Sequence, residues 1–234
     1  MSLKKTLQKQ NYDLIEGPKR NQDLLQLWIK RDLDRIALYD PSIRNVFGQD
    51  FSAAPFESTA LSINSSDKEE FDFSAGMDFV KNALLQFKIA NANIDAHIKG
   101  GKSVTVSYNN SYTKEIGQFE LEKYLFSIDS HSLIPSLIRE LNRNNLFVIA
   151  GVVFAKNLNF VIESDRTIDT TTEASLNKIA EGKVNFEKTA DHQITLTSDT
   201  EKAFPIAVKA YRIRFVKGKF NKLILATDKR DFFK

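Results

Sequence analysis

Leu146-Phe147-Val148-Ile149-Ala150-Gly151-Val152-Val153-Phe154 is an unbroken apolar run rich in β-branched and aromatic residues, and it reads as a strand covered on both faces. The run continues through Leu158, Phe160 and Ile162, which alternate with Asn157, Asn159 and Glu163. A helical insert follows at Glu173–Glu181, with Leu176 and Ile179 inward, Thr172 as its cap and Gly182 as its terminator. Lys183–Glu187 then alternates again, placing Val184 and Phe186 on one face. Strands that are apolar on one face and polar on the other serve a soluble sheet or the wall of a membrane barrel, and alternation alone leaves both open.

Outward from this stretch, similar elements recur. Leu3–Lys9 suits one or two helical turns, with Leu3 and Leu7 one turn apart and Lys4, Lys5 and Lys9 beside them. So short a helix is marginal alone and must dock on the body or on another surface. Tyr12–Ile15 reads as a short strand, Asp23–Ile29 as a helix, Arg35–Tyr39 as a strand and Asn45–Pro55 as a loop. Thr59–Asn64 looks extended, and Ser65–Glu70 is polar and acidic. Gly76–Ile89 is expected to be helical, because Met77, Val80, Leu84 and Phe87 recur at helical spacing. Ile94–Ile98 and Ser103–Tyr108 read as strands around a Lys99-Gly100-Gly101-Lys102 turn, and Val104, Val106 and Tyr108 alternate with Ser103, Thr105 and Ser107. Phe119–Phe126 is helical, and Pro135 opens a further helix ending near Asn144-Asn145. His192–Thr197, Ile206–Val216 and Phe220–Thr227 complete a sheet, the last two joined at Lys217-Gly218-Lys219. No linker-like composition divides the chain, so it reads as a single α+β domain with a twisted, mainly antiparallel sheet and peripheral helices.

Composition bounds the function. The 234 residues are 42% hydrophobic and 27% charged, which suits a folded domain with a sizeable core. Without cysteine the chain has no disulfide, thiolate metal site or Cys nucleophile. Met1–Gln10 is polar and basic with no apolar core after it, so no secretory signal is read there. Nor does any stretch reach the ~20 apolar residues of a spanning helix. Lys202–Lys234 holds ten Lys/Arg against Asp228 and Asp231, a local +8, and leaves the rest of the chain at −5. Arg212, Arg214, Lys217, Lys219 and Lys222 mark this region as a solvated outer face or a surface for anionic lipid or nucleic acid. No nucleic-acid motif accompanies the charge. His97, His131 and His192 lie far apart and lack metal-ligand spacing, and no nucleophile elbow, phosphate loop or HExxH helix is present. Asp67, Glu69 and Glu70 are better explained as a solvated polar loop than as paired catalytic carboxylates. An enzyme is not expected, and no cofactor is implied.

In the order of its pieces the chain resembles the bacterial gasdermins. The fragments that carry the likeness are Asn11–Ile15 after a short first helix, Ile94–Ile98 running into Ser103–Tyr108, and Phe119–Leu125. To these are added Phe147–Ile162 and Pro205–Ile213. The resemblance implies a pore-forming body at 1–216 and a short autoinhibitory C-terminal segment at 217–234. It implies removal of that segment by an activating protease, homo-oligomerisation, and insertion of β-hairpins into the inner membrane by a protein that is cytoplasmic while inactive. The expected outcome is cell death in anti-phage defence, with membrane lipids as partners and no nucleic acid.

On this resemblance the hairpin-forming regions are Glu57–Tyr108 and Phe147–Glu187. Their membrane strands would use Val104, Val106, Tyr108, Phe147, Val153, Leu158, Phe160, Ile162, Val184 and Phe186. Autoinhibition would use Phe220, Leu223, Leu225, Phe232 and Phe233. The family's lipidated cysteine near the start has no counterpart in Met1–Gln10: either Met1-Ser2-Leu3 is not the native start, or membrane attraction depends on Lys4, Lys5 and Lys9 beside Leu3 and Leu7. The alternative from a different class is a soluble, non-enzymatic binding module that offers its basic C-terminal face to an acidic partner or nucleic acid.

Overall fold

The apolar run at Leu146 continues to Ser164 as one 19-residue strand, and the rest of the chain is arranged on it in the computed structural model. The structure describes residues 2–15, 22–31, 36–58, 67–89, 94–198 and 203–226. The first half holds α1 (Leu3–Lys9), β1 (Asp13–Leu14), β2 (Leu27–Lys30), β3 (Ile36–Asp40), α2 (Ile43–Phe47), β4 (Phe56–Ser58), β5 (Lys68–Asp72) and α3 (Phe73–Gln86). There follow α4 (Ile94–His97), β6 (Gly101–Glu115), α5 (Gln118–Ser127), α6 (Pro135–Asn142) and the long strand β7. The chain then forms α7 (Thr170–Ala180), β8 (Asn185–Ala190), β9 (Gln193–Ser198), β10 (Phe204–Val216) and β11 (Lys219–Leu225).

Every ladder between these strands is antiparallel. Along one edge of β7 run β2, paired at Leu146–Val148, and then β6, paired from Gly151 to Ser164. The opposite edge carries β10 from Phe147 to Ala155 and β9 from Leu158 to Glu163. Outside these lie β3 on β2, β4 and β5 on β6, β1 and β11 on β10, and β8 on β9. The result is a single α+β domain built on a large open sheet, with helices packed around it.

Three apolar clusters hold the layers together. Leu146, Val148 and Ala150 join Leu121, Leu125, Leu137 and Leu141 from α5 and α6. Phe147, Ile149 and Val152 join Trp28, Val208 and Ala210. The first half of β7 is therefore covered on both sides, as its continuous hydrophobicity requires. The second half of β7 feeds a third cluster with α1, α3 and α7. At Gly76 the approach of α3 to β6 needs a glycine, since an added Cβ would lie 2.3 Å from that of Val104.

Several expectations are corrected. Asp23–Ile29 is not a helix: Leu24 and Leu25 form a turn and β2 begins at Leu27. Leu27, Trp28 and Ile29 are buried side by side between β7 and β3, so tertiary pairing overrides the helix-like spacing of the leucines. Ile94–Ile98 is not a strand but the helical turn α4. Its two buried residues, Ile94 and Ile98, are four apart, the spacing of one helix face rather than of a pleat. Within the loop expected at Asn45–Pro55 lies the end of α2, which is capped by the Ser42 hydroxyl and closed by Gly48 at φ 67°. The polar stretch ending at Glu70 contributes the strand β5, while Thr59–Asn64 falls outside the described residues. The strand at Ser103–Tyr108 runs on to Glu115. The insert helix begins at Thr170, capped by Asp169 rather than Thr172, and Glu181 at φ 52° already ends it before Gly182. Val184 precedes β8 rather than lying within it.

Candidate functional site

The strands β5, β6, β7, β9 and β8 form a section of sheet with two chemically opposite faces. Directly paired residues share a face. Val104 pairs with Phe71 and Ile162, and Ile162 pairs in turn with Ile194. Val106 pairs with Phe160, Phe160 with Leu196 and Leu196 with Phe186, and Tyr108 pairs with Leu158. The intervening residues point the other way. These are Ser103, Thr105 and Ser107 on β6, Asn159, Val161 and Glu163 on β7, Gln193, Thr195 and Thr197 on β9, and Asn185 and Glu187 on β8. Val161 is the one apolar residue among those eleven.

Helices α3 and α7 supply most of the cover over the apolar face, and Leu3 and Leu7 of α1 pack into the same cluster. Met77, Phe79, Val80 and Leu84 of α3 and Leu176 and Ala180 of α7 belong to the same cluster as the apolar rows. The Phe79 ring lies 6.2 Å from that of Phe160 and stacks 5.5 Å from that of Phe71. Asp72 caps α3 by accepting from the Ala75 amide at 3.0 Å. Asp169 caps α7 in the same way, and hydrogen bonds from Thr172 hold its carboxyl below the usual carboxylate range. Asn177 clamps α7 to the sheet: its amide donates to the Phe186 carbonyl at 2.7 Å, and its carbonyl accepts from the Phe186 amide at 2.8 Å. Since Phe186 directs these groups away from β9, Asn177 occupies part of the outer edge of β8. A comparable plug stands at β11, where Glu122 of α5 accepts from the Leu223 amide at 3.0 Å.

The Tyr108 hydroxyl is the weak point of the apolar row. It is buried and has no hydrogen-bond partner among the described residues, and burial pushes its pKa well up, so it remains protonated. At the far end of β6, Glu115 accepts from the Tyr12 hydroxyl and from the Lys209 ammonium, the latter at 3.0 Å to each carboxylate oxygen. Lys209 also lies 4.7 Å from the Tyr12 ring centroid. This network joins the N-terminal segment to β6 and β10.

Of the ten residues assigned to membrane strands, Val104, Val106, Tyr108, Val153, Leu158, Phe160, Ile162, Val184 and Phe186 share one cluster. Phe147 lies apart, in the cluster with Trp28. Leu3 and Leu7 are fully buried in the body, so α1 offers Lys5 and Lys9, but not its leucines, to an outside surface in this conformation. Phe220 and Leu223 are buried, with the Phe220 ring 5.6 Å from Phe47 and 5.1 Å from Phe215. Leu225 is half-buried, and Phe232 and Phe233 lie outside the described residues. Sequence reasoning passed over Ile194 and Leu196 as site residues although their alternation was visible. It had no signal for Asn177 or for the Tyr12–Glu115–Lys209 network, because those contacts join distant parts of the chain.

Among the described residues no group of three or more His, Asp or Glu is placed to hold a metal ion. Nor, among them, is any helix long and apolar enough to cross a membrane, which says nothing about crossing by strands.

Comparison with known proteins gives a consistent set of likenesses. Residues 15–219 match the model of the Bacterial Gasdermin Family. A gasdermin bGSDM from an unknown prokaryotic organism is 22% identical over 219 residues, covering 92% of this chain and 82% of the relative. A gasdermin bGSDM from a Vitiosangium species is 24% identical over 166 residues, which are 69% of this chain and 61% of the relative. The solved structure of a bacterial gasdermin from Bradyrhizobium tropiciagri superposes with a TM-score of 0.58 at 11% identity, over 95% of this chain and 90% of that one.

Proposed function

We propose, from the premise that the chain belongs to the bacterial gasdermin family, that it is a pore-forming protein held inactive in the conformation described above. Family and fold support the general role. The observation that carries the finer reading is the placement of the covers over the two-faced sheet. A one-sided soluble sheet also alternates, but here α3 and α7 each lie within a segment whose strands they cover, while α1 packs into the same cluster from outside both segments. α3 follows β5 and precedes β6, while α7 lies between β7 and β8. Extending residues 57–108 and 147–187 into hairpins would remove α3 and α7 from the face and lengthen the strands in one step, with α1 left to detach separately. The apolar rows would then face lipid and the Ser/Thr/Asn/Glu rows an aqueous lumen. At 15 and 19 residues, β6 and β7 already exceed the ~9–11 that a tilted membrane strand needs. Many copies are required, since only a closed barrel satisfies the strand edges in lipid.

The remaining attributes belong to the same proposal. Residues 1–216 form the pore-forming body and 217–234 the restraint, which an activating protease removes. The inactive protein is cytoplasmic, the pore is in the inner membrane, and death of the cell limits phage spread. No catalysis by the chain itself is involved.

The restraint has a physical basis in Phe220 and Leu223, whose burial couples β11 to α2, α5 and β10. The test uses a protease site placed in the Lys217–Gly218 turn, so that the chain folds before it is cut. The cut protein is expected to release dye from vesicles and form rings, while the uncut protein does neither. A cut chain that stays folded, loses its C-terminal segment and never releases dye would point instead to a soluble binding module.

A further inference from the structure

We infer that Glu69 is a protonation-sensitive latch: its carboxylate ties α1 over the covered face and opposes entry of that face into lipid, and neutralising it loosens both restraints. The inference rests on the proposed lipid-facing role of the face and names what regulates it. Among the described residues, two charged ones are paired into the apolar rows that run through Val104 and Val106. Lys188, opposite Ile194, lies beyond residue 187 and is ion-paired with Asp191. Glu69, opposite Val106, lies within residues 57–108 and is half-buried on the face it shares with Phe71. Its neighbours Lys68, Glu70 and Asp72 pair with Ser107, Thr105 and Ser103 on the polar face, and all three are exposed.

The partners of the Glu69 carboxylate come from α1. The Ser2 hydroxyl and the Lys4 amide, the latter at 3.1 Å, donate to the same carboxylate oxygen. Ser2 also caps α1 by accepting from the Lys5 amide, and it bridges to Lys68 on β5. The first turn of α1 is thus tied to β5 while Leu3 and Leu7 are buried in the cluster. An ionised acceptor holds hydrogen bonds about twice as strongly as a neutral one, so neutralising Glu69 weakens the tie. A low-dielectric phase disfavours the charged carboxyl, so the neutral form is the one that enters lipid. Since glutamate titrates at about pH 4.3 in water, its neutral fraction grows about tenfold for each unit of pH lost between about 7.5 and 5.5.

Other charges surround the latch. β6 sets Val106 against Glu69, and α3 reaches β5 with Phe79, which stacks on Phe71. The packed elements carry Lys4, Lys5 and Lys9 on α1, Asp78 and Lys81 on α3, and Lys102, Lys114 and Glu115 on β6. Lys81 is paired with Asp95, Lys114 with Glu57, and Glu115 with Lys209. Lysines stay charged and Tyr108 stays protonated through weakly acid pH, which leaves Asp78 and the buried Asp67 as the carboxylates to separate from Glu69.

The test reads the uncut chain first. At pH about 7.5, Glu69→Gln should speed hydrogen exchange of the α1 amides at least about fivefold, and Glu70→Gln should leave it unchanged. In the cut chain, dye release by the parent should quicken at least about tenfold between about pH 7.5 and 5.5. Glu69→Gln should already be fast at the higher pH and nearly flat across the range. Glu70→Gln, Asp67→Asn and Asp78→Asn should keep the parent profile. Equal α1 exchange in Glu69→Gln and Glu70→Gln, or the same pH profile in the cut parent and cut Glu69→Gln, would each overturn the inference. So would a profile lost in Asp67→Asn or Asp78→Asn and kept in Glu69→Gln. Faster α1 exchange in Glu69→Gln, with no dye release from any cut chain, would leave the tie on α1 standing and remove the pore.

Discussion

A cysteine pair that ties α7 to α4 is expected to abolish dye release by the cut protein when oxidised, and reduction is expected to restore it. The two helices pack against one another. They belong to different hairpin regions: α4 lies in residues 57–108 and α7 in residues 147–187. Conversion of a helical segment to strand raises its length per residue from about 1.5 to about 3.3 Å, so each segment must draw away from its present neighbours. Continuing the β6–β7 ladder would set Ile94–His97 opposite about residues 169–172, so the link is made from α4 to the second half of α7, where it is out of register and prevents both from extending. The chain has no cysteine of its own, so the engineered pair forms the only disulfide. Cα atoms about 4.4–6.8 Å apart meet the geometric requirement. Recovery on reduction separates blocked motion from misfolding. Full dye release by the oxidised protein would show that these helices need not leave.

The largest expected loss of stability is at Glu115. Its carboxylate takes hydrogen bonds from both Tyr12 and Lys209, and the Lys209 and Glu115 side chains are only 15% and 20% exposed. Glu115→Ala leaves a mostly buried ammonium without its counter-charge and a buried hydroxyl without its acceptor. Burial is the first cause of the raised Tyr12 pKa and persists in the variant, so the hydroxyl does not ionise to compensate. Removing one partner of such a pair costs about 2–4 kcal/mol, to be read from urea unfolding. Glu115→Gln keeps an acceptor but loses the charge, and should fall between the variant and the parent. A change below about 0.5 kcal/mol, the range of an ordinary surface substitution, would mean the network does not anchor the N-terminal segment.

The long strand was legible in the sequence because its signal is local. Leu146–Phe154 is apolar without interruption, and Leu158–Ile162 alternates, so both the doubly covered half and the one-faced half could be read directly. Legibility ended where a residue's environment is set by distant chain. Leu27–Ile29 is a strand because β7 and β3 flank it, and the helix-like leucine spacing around it carries no such information. Ile94–Ile98 is too short for a period of two to be told from a period near four. Beyond Tyr108 the alternation is broken by Asn109-Asn110, yet β6 continues because β7 supplies a full-length partner. The apolar rows of the candidate site could be assembled from alternation. The clamps that hold their covers, Asn177 on Phe186 and Glu122 on Leu223, are single polar contacts between elements and leave no periodic trace.

The central claim is that the face now covered by α3 and α7 becomes the lipid-facing wall of a pore, and single-cysteine dye scanning reads it directly. Because the parent lacks cysteine, one environment-sensitive label can be placed at a time, at Val106, Phe160 or Phe186 for the covered row and at Thr105, Asn159 or Asn185 for the polar row. Variants are first confirmed to fold and to release dye after cutting. In vesicle-inserted rings, labels at 106, 160 and 186 should shift to shorter wavelength and be quenched by nitroxide-bearing lipid tails, while labels at 105, 159 and 185 should remain water-like and respond to aqueous iodide. Dye-releasing rings in which the two rows give the same signal, or in which the polar row meets the lipid, would contradict the account.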